Sequence, residues 1–136
     1  NTRVSLTYES LVRGIATSGW RGRSLSLGIA DAVTVLAGSA AIADAAATLI
    51  ANDVNVDYPG ILKRPASEVK NESDLGMLPV TVDVPPLPFD QISEALKRGA
   101  QTAGNFIRTG KIEAAYLSLQ KQTLVVENNL KKESNE

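Results

Sequence analysis

Ala32-Val33-Thr34-Val35-Leu36, then Gly38-Ser39, then Ala40 to Ala51 (Ala-Ala-Ile-Ala-Asp-Ala-Ala-Ala-Thr-Leu-Ile-Ala) reads as a buried strand, a turn and a helix. The β-branched residues suit a pleated surface, alanine is the strongest helix former, and Ser39 stands where an N-cap belongs. The apolar character extends back to Leu25, long enough to raise the question of a membrane span. Asp31 and Asp44 interrupt it, and Ala and Gly dominate it, so the span is rejected and no membrane partner is expected.

Towards the N-terminus, Gly14-Ile15-Ala16-Thr17-Ser18-Gly19 predicts a short strand running into a turn. Arg3 to Val12 predicts another, with Val4, Leu6 and Tyr8 on one face. On the C-terminal side, Asn52 to Gly76 carries Asn, Asp, Pro, Ser and Gly among few apolar residues and reads as a long irregular connection. Met77 to Val84 resumes a strand, with Val80, Val82 and Val84 in alternation, and Pro85-Pro86 stops it because proline donates no ladder hydrogen bond. Phe89 to Ile107 places Phe89, Ile92, Leu96, Ala103 and Ile107 at helical intervals, and Gly110 ends the helix. Ile112 to Leu119 and Thr123 to Val126 read as two strands joined through Gln120-Lys121-Gln122. Strands mixed with two helices, without a repeat or heptad seam, predict an α+β fold: one domain over 1–127 and a polar, frayed tail over 128–136.

Composition narrows the chemistry. The 136 residues fit one core, and 14 Lys+Arg against 15 Asp+Glu leave a net charge of -1, so nucleic acid is not an expected partner. There is no Cys and no His, which removes thiolate nucleophiles, disulfides, imidazole acid–base catalysis and the usual zinc ligands. A metal would be held by oxygen, which suits Mg²⁺, Ca²⁺ or Mn²⁺. The chain opens at Asn1 without a basic start or an apolar signal segment. A cytoplasmic protein is the expectation, with an upstream segment needed to complete the domain.

Two constellations could carry function. Asp44 and Thr48 are spaced i,i+4, which puts a carboxylate and a hydroxyl on one helix face where they can share a cation. Equally, Asp44 can serve the helix dipole while Thr48 bonds back to a carbonyl. Gly14 to Ser24 combines three glycines, three hydroxyls, Arg21, Arg23 and the single Trp20. Backbone N–H groups, hydroxyls and arginine forks make an anion cradle, and Trp20 could stack on a planar ring. The alternative is a tight surface turn with solvated arginines. Ser73-Asp74-Leu75-Gly76 reads as a turn. Asp31, a carboxylate opening a buried strand, needs a partner, which Arg21, Arg23 or a backbone donor can supply.

The order Gly14 to Gly19, then Ala-Asp-Ala-Val-Thr-Val-Leu-Ala over 30–37, then Ala43-Asp44-Ala45-Ala46-Ala47-Thr48-Leu49 resembles the ApbE-like flavin transferases. Arg21 to Ser26 and Ser73 to Gly76 look closer to an uncharacterised branch of that superfamily. The resemblance covers Gly14 to Ala51 and implies a T-fold-like layered sheet, with Mg²⁺ on Asp44 and Thr48 and FAD phosphates near Thr17, Ser18, Gly19, Arg21, Arg23 and Ser24. The chain departs from the family pattern at 21–24, where Arg-Gly-Arg-Ser replaces a His-Ile-Ile-Asp-Pro-like segment. It also lacks an Asn-Gly-Gly-Asp-like segment. Three expectations therefore stand: a Mg²⁺-dependent flavin-nucleotide or phosphate-ligand protein related to FMN transferases; a non-catalytic module for a small acidic metabolite, in which Arg21 and Arg23 replace the metal's charge; and a structural homo-oligomer joined through the alanine-rich helix.

Overall fold

The computed structural model describes residues 12–22, 25–70 and 75–127. The expected strand over Arg3 to Val12, except for Val12 itself, and the tail over 128–136 lie outside the described residues. So do Arg23 and Ser24 and the first half of the Ser73 to Gly76 turn.

The chain runs through β1 (Gly14–Ser18), β2 (Ala32–Ala37), α1 (Ala40–Asp53), β3 (Leu62–Pro65), α2 (Ala66–Val69), β4 (Pro79–Asp83), α3 (Phe89–Arg108), β5 (Ile112–Leu119) and β6 (Gln122–Glu127). Four strands form one antiparallel sheet in the order β1-β2-β5-β6, with Ala16 opposite Val35, Val35 opposite Ala115 and Ala115 opposite Val126. The fold is α+β, as the alternation of patterns predicts.

Period-two alternation decides which face of this sheet is covered. Val33, Val35, Ala115 and Leu117 are wholly buried against α1 and α3, while Leu36 and Ala114 turn to the other face, where they join Val12 and Tyr116. α1 can lie close because its inward face is small: Ala43, Ala46, Ala47 and Ala51 are buried, with Ile50 as the one large side chain among them. Ser39 caps it as expected, its Oγ accepting the Ile42 N–H at 3.2 Å. Ser39→Ala is expected to cost about 1 kcal/mol, read as a shift in the urea midpoint, because this amide then loses its protein acceptor.

α3 buries Ile92, Ala95, Leu96, Gly99 and Ala103, a stripe at i, i+3, i+4, i+7 and i+11. Phe89, read from sequence as part of that stripe, is 67% exposed. Gly99 is a contact point rather than a weakness in the helix, since an added Cβ would stand 2.3 Å from Val54 Cγ2 and 2.9 Å from Leu117 Cδ2.

The expected long irregular connection after α1 is corrected. It contains β3 and α2, and β3 pairs antiparallel with β4 in a separate two-stranded sheet. Lys63 and Arg64 concealed the strand, because its pairing partner lies beyond α2 and its own sequence has no clean alternation. The segment before β2 ties this small sheet to the body: the Thr81 N–H donates to Ser26 O at 2.9 Å, and Thr81 Oγ1 donates to Gly28 O at 2.6 Å. Both Ser26 and Thr81 are buried polar residues, so these bonds offset their desolvation.

Among the described residues no helix is long and apolar enough to cross a membrane.

Candidate functional site

The order β1-β2-β5 has a direct consequence. Because both neighbours run antiparallel to β2, the residues following β1 and those following β5 arrive at the end of the sheet where β2 begins. Arg21, Asp31 and the Gln120-Lys121 turn therefore meet there. Arg21 Nε stands 3.2 Å from Asp31 Oδ1, and the Gln120 N–H donates to Asp31 Oδ2 at 2.8 Å. Asp31 thus has both an arginine and a backbone donor, two of the partners anticipated from its position. Its side chain is 25% exposed against 67% for Arg21, so the carboxylate is the anchored member of the pair.

Gln120 also holds the far wall. Its Nε2 donates to Pro85 O at 2.8 Å and its Oε1 accepts the Leu87 N–H at 2.8 Å. These bonds draw the Val84 to Leu87 segment over the turn. The result is a cleft of about 680 Å³ lined by Arg21, Asp31, Val84, Pro86, Gln120 and Lys121. Two cations face one carboxylate, and Val84 and Pro86 supply an apolar side.

The turn itself is in a costly conformation. Gln120 and Lys121 have φ of 45° and 73°, the left-handed pair required by a two-residue type I′ hairpin. Such conformations persist where surrounding bonds fix them and cluster at ligand sites. Lys121→Gly is expected to raise the thermal midpoint, by about 0.5–1 kcal/mol in stability, because glycine adopts positive φ without the Cβ penalty. The same change removes a cation from the cleft, so anion affinity should fall as stability rises.

Beside the cleft, the Arg21 guanidinium carbon lies 5.0 Å from the centre of the Trp20 ring, within range of a cation–π contact. Trp20 Nε1 is buried without a hydrogen-bond partner among the described residues.

The other anticipated residues fall elsewhere. Thr17 and Ser18 belong to β1, and Thr17 Oγ1 lies 2.9 Å from Thr34 Oγ1, an exposed cross-strand hydroxyl pair. Gly19 is packed on the backbone of Asp31, where a Cβ would stand 2.3 Å from its carbonyl oxygen. Of the six residues anticipated around phosphate, Arg21 lines the cleft; Arg23 and Ser24 lie outside the described residues. Asp44 is on the exposed side of α1, and Thr48 Oγ1 donates to the Asp44 carbonyl oxygen at 3.0 Å. This is the back-bond weighed against the metal reading. α1 starts at the end of β2 opposite Asp31, so neither residue lines this cleft. No group of three or more carboxylates suited to a metal occurs among the described residues.

Lys121, Gln120, Val84 and Pro86 were not anticipated as site residues. Nothing local marks them, since their role arises from a hairpin tip meeting a proline segment some thirty-five residues earlier.

Fold and cleft together define an α+β protein with a mixed-charge cleft at one end of a four-stranded antiparallel sheet. The chain belongs to the family described as AbpE bacteria, whose model matches residues 1–127. It is also similar to UPF0280 protein MK0206 of Methanopyrus kandleri, at 46% identity over 57 residues. That match covers 42% of this chain and 24% of the relative, so the chain matches about a quarter of the relative's length. No solved structure matches the chain.

Proposed function

We propose that the protein binds a phosphate-bearing small molecule in the Arg21–Lys121 cleft, with a flavin nucleotide such as FAD as the first ligand to test. The observation that carries this reading is the convergence of Arg21 and Lys121, from the turn after β1 and the β5–β6 turn, on one cleft with an apolar wall. Guanidinium and ammonium groups grip phosphate, while Val84, Pro86 and the nearby Trp20 suit the body of a planar ligand. Thr17, Ser18 and Gly19 lead the chain into this region, and Arg23 and Ser24 follow Arg21 in sequence. The resemblance to ApbE-like flavin transferases supports the choice of ligand.

The metal-dependent form of the reading, with Mg²⁺ on Asp44 and Thr48, has less support. The Thr48 hydroxyl donates its proton within its own helix, which accounts for it without a metal, and the cleft lies at the other end of β2. Binding that rests on arginine and lysine needs no metal, which favours a binding module over an FMN transferase.

Titration with FAD in Mg²⁺ and in excess chelator, followed by flavin fluorescence and calorimetry, separates these forms. The expected result is equal affinity in both, unchanged in Asp44→Ala and weakened roughly tenfold in Arg21→Ala, the loss of one charge-assisted contact. Affinity that requires Mg²⁺ and collapses in Asp44→Ala would replace this reading with the transferase-like one and call for an FMN-transfer assay. Absence of FAD binding in both conditions would exclude the flavin and move the search to other acidic metabolites.

A further inference from the structure

A second cleft, of about 350 Å³, lies between the segment following α1, strand β3 and helix α3, and shares no residue with the first. Asn55, Asp57, Tyr58, Ile61, Lys63 and Arg98 contribute to its lining. We propose that this cleft is a separate binding site for a small organic or inorganic anion of the carboxylate or phosphate class, held by Lys63 and Arg98.

The argument starts from the unspent donors of Lys63. Its ammonium donates to the Leu27 carbonyl oxygen and, at 3.5 Å, to Asn55 Oδ1. An ammonium has three donors, so these two contacts leave one. Neither contact is with a charged group, and the salt bridges among the described residues involve other side chains. Lys63 is therefore a half-buried cation with neutral partners. Burial pushes its pKa down from the usual lysine value, the mark of a charge short of compensation.

Arg98 reaches the cleft from α3 and, unlike Lys63, has a charged partner. Its Nε donates to Glu94 Oε2 at 3.0 Å and its NH1 group donates to Asn55 O at 3.2 Å. A guanidinium carries five N–H donors, so capacity remains for a ligand. Glu94 offsets the Arg98 charge from one side and Asp57 is the one carboxylate in the lining, so Lys63 is the cation without a charged partner among the described residues. The remaining Arg98 N–H groups add donors, while Tyr58 and Ile61 offer a surface for an organic body. The volume falls at the small end of the range for small-molecule sites, about 300–1,000 Å³. A purely architectural Lys63, strapping the β3–β4 sheet to Leu27, uses only the first two donors and leaves the cleft without an occupant.

Lysine-selective acylation with a mass-spectrometric readout tests this on the intact protein. The probes are inorganic phosphate and acetate, with chloride at matched ionic strength as the control. Either probe should slow modification of Lys63 severalfold while leaving the exposed Lys97 unaffected, and the stronger of the two identifies the anion. Protection should persist in Arg21→Ala, which disables the first cleft, and disappear in Arg98→Gln, a change at an exposed side chain that the fold should tolerate. Equal modification of Lys63 in phosphate, acetate and chloride, or protection unaltered by Arg98→Gln, would overturn the proposal.

Discussion

Replacing Gly28 by alanine is expected to remove about 3 kcal/mol or more of stability, a large share of the about 5–15 kcal/mol that holds a domain folded. A Cβ there would stand 2.0 Å from Ala51 O, 2.8 Å from Val54 O and 2.9 Å from Asn52 O. All three are backbone oxygens at the C-terminal end of α1, so no rotamer change relieves the overlap. Moving the segment away breaks what holds it: the Ile29 N–H to Val54 O bond at 2.8 Å, the Leu27 N–H to Asn52 Oδ1 bond at 3.0 Å and the Thr81 hydroxyl on Gly28 O. Urea unfolding followed by far-ultraviolet circular dichroism reads the loss. Gly22→Ala is the control, since its Cβ would approach Gly19 O only to 3.6 Å, and its effect should stay within about 0.5 kcal/mol. An unshifted midpoint in Gly28→Ala would mean that this segment does not rest on α1 in solution.

The second large effect is expected at Asp31, where two substitutions separate charge from hydrogen bonding. Asp31→Ala should cost about 2 kcal/mol, most of it from the charge-assisted bond to the Gln120 N–H, because the pair with the exposed Arg21 contributes at most about 1 kcal/mol. That bond helps to hold Gln120 at φ 45°, and the Gln120 side chain in turn holds the Pro85 to Leu87 wall. Asp31→Asn retains an acceptor for the Gln120 N–H and should recover most of the loss. It also removes the negative charge from the cleft, so phosphate or FAD should bind a few-fold tighter at low salt and the gain should fade as salt is raised. If the asparagine variant is no more stable than the alanine variant, the turn is held by something other than this bond.

The parts of the fold that were legible share a property: their signals are local. β2, α1 and the cap at Ser39 are written within about twenty consecutive residues, and β5 and β6 within sixteen. The α3 stripe was legible except at Phe89, where helical spacing alone could not tell the first exposed turn from the buried face. β3 was missed because Leu62-Lys63-Arg64-Pro65 becomes a strand only by pairing with Pro79–Asp83, beyond α2. The cleft divides in the same way. Arg21 and Asp31 stood out as a cation and a carboxylate flanking apolar strands, whereas Gln120 and Lys121 looked like an ordinary polar turn.

By itself, then, the sequence determined the α+β class, the strand–turn–helix at its centre, the absence of thiol and imidazole chemistry, and the need of Asp31 for a partner. Periodicity, capping and composition act over a few residues, and each can be read without knowing what lies opposite. The tertiary structure alone decided that Arg21, Asp31, Gln120 and Lys121 share one end of the sheet, that Asp44 and Thr48 do not line the same cleft, and that Lys63 meets Arg98 across a second one. Those juxtapositions depend on strand order and on backbone contacts between distant segments, such as Gly28 against the end of α1. No spacing along the chain encodes them.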